Sequence, residues 1–391
     1  MNRCNGVKRL SNNPVFYCDS VTGLVTMLTS PFAYTSDKFQ WDGRKADSYA
    51  APVDTENKVA TIASAEEPAL FKYEVTDQKV DYSGYTAEIT KDIDLGSGFW
   101  RPIDPVNNLT INGNGHTIRN LYINSVSNPV GLFGYVKTGA SVTKLGITGN
   151  VTTTNKSYGQ AGGIAGYMES DTSVTKSWSS VNVTGGKHGG GIAGYTAGGS
   201  AITDCYATGT IRTISANECY LGGICGSYFS NTDGATITNC YSTSTVIGSG
   251  GNASYVGGLS PIKAEANYVN SYYLEGAVSG ASPKFGITGL GTAKTADELK
   301  ALAATLGGSF AEDSENINGG YPILAWQGAK QPLAGDVNAD GTVDVTDAGL
   351  VYNYSIGAGE LTEAELILAD MDGDGSITTV DALAILRTAI L

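Results

Sequence analysis

The feature that most constrains this chain is a repeat of about thirty residues that fills its middle. "VGLFGYV" (130–136), "GGIAGYM" (162–168), "GGIAGYT" (190–196), "GGICGSY" (222–228) and "VGGLSPI" (256–262) recur. Their apolar anchors Leu132, Ile164, Ile192, Ile224 and Leu259 are spaced by 32, 28, 32 and 35 residues. A second element follows each of the first four: "SVTKLGITGNV", "SVTKSWSSVNV", "AITDCYATGTI" and "TITNCYSTSTV". These alternate apolar and small polar residues with period 2, as half-buried strands do. A unit this short cannot close a core alone, because each strand's apolar face needs a neighbour above and below. Parallel stacking at about 4.8 Å supplies those neighbours. It predicts one inward ladder of Val142, Val174, Ile202 and Ile237 and another of Leu145, Ser177, Cys205 and Cys240. Glycine recurring at the same place suits corners that need positive φ or close backbone approach. The expected fold is mainly β, a parallel β-helix or β-solenoid. A sandwich is the alternative, but its strands would not repeat in sequence.

The repeats resemble the GLUG-motif family of bacterial surface proteins, named for a Gly-Leu-x-Gly core seen here as "GLFG" and, with Ile for Leu, as "GGIAG" and "GGICG". "WDGRKADSY", "TIASAEEPALF", "ITKDIDLGSGFWRPI" and "INGNGHTIRNLYI" look like the start of such a solenoid, and "KTADELKALAATLGGSF" with "NINGGYPILAWQ" looks like its end. The resemblance covers residues 39–327 and implies a secreted or surface-attached protein without defined catalytic residues. Helices at the two ends would shield exposed strand edges. One carries Ser64 as N-cap and Pro68 early in the helix; the other runs from Thr295 to Gly307.

A different pattern occupies the tail. "GDVNADGTVDVTDAG" places Asp336, Asn338, Asp340, Thr342, Asp344 and Asp347 at loop positions 1, 3, 5, 7, 9 and 12, with Gly341 at position 6. Thirty-four residues on, Asp370, Asp372, Asp374, Ser376, Thr378 and Asp381 take the same places around Gly375. Alternate oxygen ligands wrapped about a sharp glycine turn are what Ca²⁺ requires, so two ions are expected. Residues 333–391 carry 11 Asp and Glu against Arg387 alone, −10 of the chain's formal −14, and bound cations would relieve that repulsion.

Loops that end in Asp and lead into helices, with "GAKQPLAG" rather than a helix before the first, resemble the type I dockerin family and not an EF-hand pair. The expected module is small, all-α and calcium-binding, over residues 335–391, after a linker at 328–334. Its following helices run from Thr346 to about Ile356 and from Thr379 to Leu391, with a middle helix capped by Thr362. The resemblance implies docking into a cohesin module of a scaffoldin through loop positions 10 and 11, here Val345, Thr346, Thr379 and Val380. The two pairs differ, so a symmetry-related dual binding mode is not carried over. Packing of Val345 and Val380 between helices is the alternative reading.

Net charge of −14 argues against nucleic acid as a partner, and no apolar run reaches the roughly 18 residues of a membrane span. Residues 1–38 read as a leader outside the solenoid: Arg3, Lys8 and Arg9 precede "VTGLVTMLTSPFAYT", but Asp19, Gly23 and Pro31 break the pattern of a signal peptide. The six cysteines show no metal spacing; a Cys205–Cys240 disulfide is conceivable, and buried thiols are the favoured reading. Asp92, Asp94, Arg101 and Asp104 are the candidates for an enzymatic site of the glycoside hydrolase or lyase kind, weighed against a corner-capping role. His116 reads as a turn residue bonding between coils, and His188 as part of a flexible Gly-rich corner. Tyr167, Tyr195, Tyr206 and Tyr241 recur in register and could stack on sugar. The function expected is a non-catalytic, secreted component of a cellulosome-like complex whose solenoid presents an adhesion or glycan-binding surface. A dockerin-borne carbohydrate-active enzyme and a cell-surface adhesin are the alternatives.

Overall fold

The computed structural model describes residues 6–9, 15–18, 25–27, 44–96, 98–216, 218–226, 235–249, 251, 253–261, 268–282, 291–328, 334–338 and 343–390. Strands stack in parallel on four faces of a solenoid. The longest continuous row runs through Val59–Ile62, Thr86–Ile89, Thr110–Asn112, Ser141–Thr143, Ser173–Thr175, Ala201–Thr203, Thr236–Thr238 and Tyr268–Val269. Its register sets Ala60, Ala87, Ile111, Val142, Val174, Ile202, Ile237 and Tyr268 above one another, which is the predicted ladder extended in both directions. Buried apolar residues from Ala60 to Leu259 form one cluster.

The anchors Ile164, Ile192, Ile224 and Leu259 are fully buried, and the N–H groups of the first three each bond to the carbonyl of the next anchor, at 3.0, 2.9 and 2.8 Å. The preceding glycines form a ladder of their own: Gly163, Gly191 and Gly223 each donate to the next coil at 3.1 Å. Close approach, not positive φ, is what demands glycine here. A Cβ on Gly163 would lie 2.2 Å from Ser179 Oγ, one on Gly191 would lie 2.6 Å from Ala207 Cβ, and one on Gly223 would lie 2.1 Å from Ser242 Oγ. Ser179, Ala207 and Ser242 are themselves one register row on the opposing sheet, so a column of small side chains faces a column of hydrogens.

Left-handed backbone is supplied mainly by other residues. Lys144, Lys176, Asp204, Asn239 and Asn270 adopt φ of 50, 47, 53, 50 and 48° at one recurring corner. The next residue of each coil turns inward: Leu145 N–H donates to Ser177 Oγ (3.1 Å), Cys205 N–H to Cys240 Sγ (3.4 Å) and Cys240 N–H to Ser271 Oγ (3.1 Å). Cys205 and Cys240 are buried thiols rather than a disulfide, and Cys219 and Cys225 are buried as well.

Aromatic residues depart from expectation. Tyr167 and Tyr195 stack at 4.8 Å with Tyr135 beside them, whereas Tyr206 and Tyr241 stack at 5.1 Å in a separate row that begins at Trp178. Three residues past the anchor and two past the left-handed corner are different faces of a coil. His188 is also corrected: it is only 7% exposed and lies in the strand His188–Gly190. Its flanking glycines permit tight strand packing, its ring stacks on Tyr220 at 5.0 Å, and its Nδ1–H donates to the Gly226 carbonyl at 2.7 Å.

The helices differ in detail too. Ser64 does not cap the first helix, Glu67–Lys72, which begins after Glu66 with no side-chain cap. Instead the buried Glu67 carboxylate accepts N–H bonds from Ala50 (2.6 Å), Ala63 (2.5 Å) and Ser64 (3.1 Å). Thr295 opens its helix with a capping box to Glu298, but the run to Gly307 is split into Ala296–Lys300 and Ala303–Leu306. That segment lies along the flank: Leu299, Leu302, Leu306, Phe310 and Leu324 pack on Tyr206 and Tyr241. Near the start of the sequence, Gly6–Arg9, Val15–Cys18 and Val25–Met27 form an antiparallel sheet.

Two outcomes follow from these contacts. Gly163→Ala should lower solenoid stability by roughly 1–3 kcal/mol, because both a side chain and the Gly191 carbonyl obstruct the added methyl; Gly308→Ala, with nothing within 4 Å, should not, and paired thermal melts check the contrast. Burial lowers the His188 pKa from 6.5 to about 4, with the Lys187 charge adding to it and the Gly226 bond and Glu218 opposing. The unfolded state therefore binds the extra proton first, and stability falls as pH drops from 6.5 to 4, by about 3 kcal/mol at the lower limit. Urea unfolding at pH 7.5, 5.5 and 4 should show that increment in the parent protein and lose it in His188→Phe.

Candidate functional site

The tail folds around a small apolar cluster of Val337, Ala348, Val351, Ala369, Ala382 and Ile385. Three helices surround it: Val345–Ser355, Glu363–Ala369 and Thr379–Ile390. Each of the first two is opened by a capping box, Asp344 with Asp347 and Thr362 with Glu365, so that acidic side chains satisfy orphan N–H groups at positive helix ends.

The two loops are built alike at their last position. Asp347 is fully buried and takes Asn338 N–H on one oxygen (3.0 Å) and Asp344 N–H on the other (2.9 Å). Asp381 is equally buried and takes Met371 N–H (2.9 Å) and Thr378 N–H (2.8 Å). Position 12 thus ties the start of each loop to its end. Burial opposes the Asp381 charge, but donors from Thr378, Met371 and Asp372 outweigh it and hold the carboxyl below the usual range.

In the second loop Asp370, Asp372 and Asp374 bring carboxylate oxygens within 4.8 Å of one another. Asp370 also accepts from Gly373 N–H (2.7 Å) and Gly375 N–H (3.0 Å), and Gly375 provides φ of 79° at the turn. Ser376 N–H donates to Asp374 at 2.7 Å, and the Thr378 hydroxyl lies 3.2 Å from Asp381. In the first loop Asp336 is buried, while Asp340 and Thr342 lie outside the described residues. Oxygen-only donors, three converging carboxylates and a glycine at the sharp turn fit a hard divalent cation. Bound there, Ca²⁺ would neutralise the loop's charge and hold each loop to its helix.

Val345 and Val380 are 64% and 58% exposed, so they do not pack between helices, and Thr346 and Thr379 are exposed beside them. Exposed Tyr352 and Leu383 accompany them on the same two helices, and exposed Ile356 follows directly after the first. Sequence reading passed over these three because helical periodicity alone assigns such residues to a core.

Residues 334–388 match the family model of the type I dockerin domain, and residues 185–212 match that of the GLUG motif. The chain carries a dockerin. A dockerin supports membership of a cellulosome-type assembly and implies a cohesin partner. With the GLUG motif it fits an extracellular or surface protein, and no helix among the described residues is long and apolar enough to cross a membrane. No curated protein matches the chain. Among solved structures, a candidate immunoglobulin A1 protease from Bacteroides ovatus is similar with a TM-score of 0.52 at 21% identity, covering 71% of this chain and 95% of that one. An IgA1 protease gives a TM-score of 0.33 at 14% identity over 51% of this chain and 17% of its own. The first likeness shows the solenoid fold alone.

The acidic residues weighed for catalysis are spread over two faces and engaged in corner bonds. Asp92 accepts from Thr117 N–H (2.9 Å), faces His116 Nδ1 (3.3 Å) and pairs with Arg119 (2.6 Å). Burial raises its pKa, but those three partners prevail and hold it low. Asp94 accepts from Gly96 N–H and the Asn120 carboxamide, at 2.7 and 2.8 Å. Asp104 accepts Tyr135 N–H at 3.0 Å on a different sheet, where burial pushes its pKa up.

Asp381→Ala removes a buried acceptor and orphans two loop N–H groups, so it should cost the dockerin roughly 2–4 kcal/mol even in chelator. Loss of the helical signal at a lower temperature, in circular dichroism of the calcium-free protein, checks this.

Proposed function

We propose that this chain is a secreted, non-catalytic component of a scaffold-borne polysaccharide-degrading complex. Residues 335–391 bind two Ca²⁺ ions through Asp336, Asn338, Asp340, Thr342, Asp344, Asp347 and their second-loop equivalents Asp370, Asp372, Asp374, Ser376, Thr378 and Asp381. The loaded module presents Val345, Thr346, Thr379 and Val380 to a cohesin. Residues 39–327, joined to it by a linker at 328–334, hold out a glycan-binding or adhesive surface. The observation that carries the reading is the pairing of two Asp-closed loops with apolar and hydroxyl side chains exposed at the start of the helices they cap. On the solenoid, the half-buried Tyr135, Tyr167 and Tyr195 row offers ring edges of the kind that contact sugars.

A screen of the full chain against a panel of cohesins, with and without chelator, tests the docking half. Binding is expected to one cohesin in calcium only, with calorimetry counting two ions per chain. Charge placed in the apolar patch, as Val345→Asp with Val380→Asp, should weaken binding by about a hundredfold or more. Calcium-independent capture, or no ion uptake, would overturn it. Retention on insoluble plant polysaccharides against whole cells tests the solenoid half and separates glycan binding from cell adhesion.

A further inference from the structure

We propose that a cleft beside the helix Glu67–Lys72 binds an acidic saccharide, a short glycan whose sugars bear carboxylates. The proposal rests on the glycan-binding reading above and names the class of glycan. The cleft encloses about 280 Å³ and is lined by Lys45, Lys72, Tyr73, Phe99 and Arg101 among others. That volume is at the small end of ligand sites, suited to one or two sugar rings.

Its charge runs against the chain's. The protein carries −14, yet every ionisable carboxylate or basic group lining this cleft is basic. The Lys72 ammonium is neutralised by Asp77 at 2.7 Å. Lys45 stands 4.9 Å over the Tyr73 ring, and among the described residues neither Lys45 nor Arg101 has a carboxylate within ion-pair distance. Two uncompensated cations close to one opening favour an anion, and a guanidinium fork matches the paired oxygens of a carboxylate. The apolar half of the ligand is specified separately. Phe99 is 49% exposed at a strand bridge to Tyr122, itself 37% exposed, so a ring face is available to the C–H face of a pyranose. A second cleft, of about 350 Å³, is lined by both Lys79 and Asp81 and has no such preference.

The test is calorimetric titration of the calcium-loaded full chain with tetragalacturonate, cellotetraose and inorganic phosphate. Tetragalacturonate should bind at least about tenfold more tightly than cellotetraose, and Arg101→Gln and Phe99→Ala should each weaken it about fivefold or more. The exposed Lys156→Gln should leave it unchanged, and melting temperatures should match throughout. Equal affinity for the two tetramers, or indifference to Arg101→Gln, would overturn the proposal while leaving the glycan reading intact. Binding of phosphate alone would reassign the cleft to small anions and also overturn it. Failure to bind any glycan, here or on polymer, would remove both readings together.

Discussion

Everything in the solenoid depends on like residues resting on like, coil upon coil. Parallel in-register pairing sets equivalent positions of successive coils directly above one another. Along one inward row size is held from Ile111 through Ile237, with Ala87 before it and Tyr268 after it. The tightest case is the glycine column against Ser179, Ala207 and Ser242, where backbone and side chain meet with no room for a carbon. The spacing of anchors varies between 28 and 35, and the residues that lengthen the first interval over the second lie between the strands Gly146–Thr153 and Gln160–Gly162.

The two parts of the chain are held by different physics. Solenoid residues are buried in a continuous apolar cluster, and polar corner residues bond to their counterparts above: Asn270 to Asn239 at 2.9 Å and Asn239 to Asp204 at 3.0 Å. The dockerin has a far smaller cluster and a dense negative charge. Its loops are closed by buried carboxylates that collect N–H donors, an arrangement that organises the loop before any cation arrives and leaves the outer carboxylates mutually repelling. A cation bound there would couple its binding to folding of the tail.

Periodicity made the stacked strands legible, and loop spacing made the dockerin so, since both signals are local and repeated. What was missed arises where the signal is neither. Ser64 has the chemistry of a cap, but its own N–H, that of Ala63 and that of Ala50, seventeen residues before the acceptor, converge on Glu67. His188 looks flexible because glycines flank it, when those glycines are what let two strands close over its ring. Tyr167 and Tyr206 appear equivalent in a linear repeat, yet a corner between them turns one to a different face. The basic cleft joins residues 45, 72 and 101, a grouping that only the folded end of the solenoid creates.

The segment that lies on the solenoid's flank acts as a ruler. Its Trp326 indole reaches the Lys176 carbonyl, Gln327 reaches Tyr206, Pro322 accepts from Tyr241, and Thr305 accepts from Asn270. These contacts measure off four successive coils at once. Duplication or loss of a unit inside that span would put every later contact one rung out of step, whereas nearer the N-terminal end no segment among the described residues spans four coils in this way.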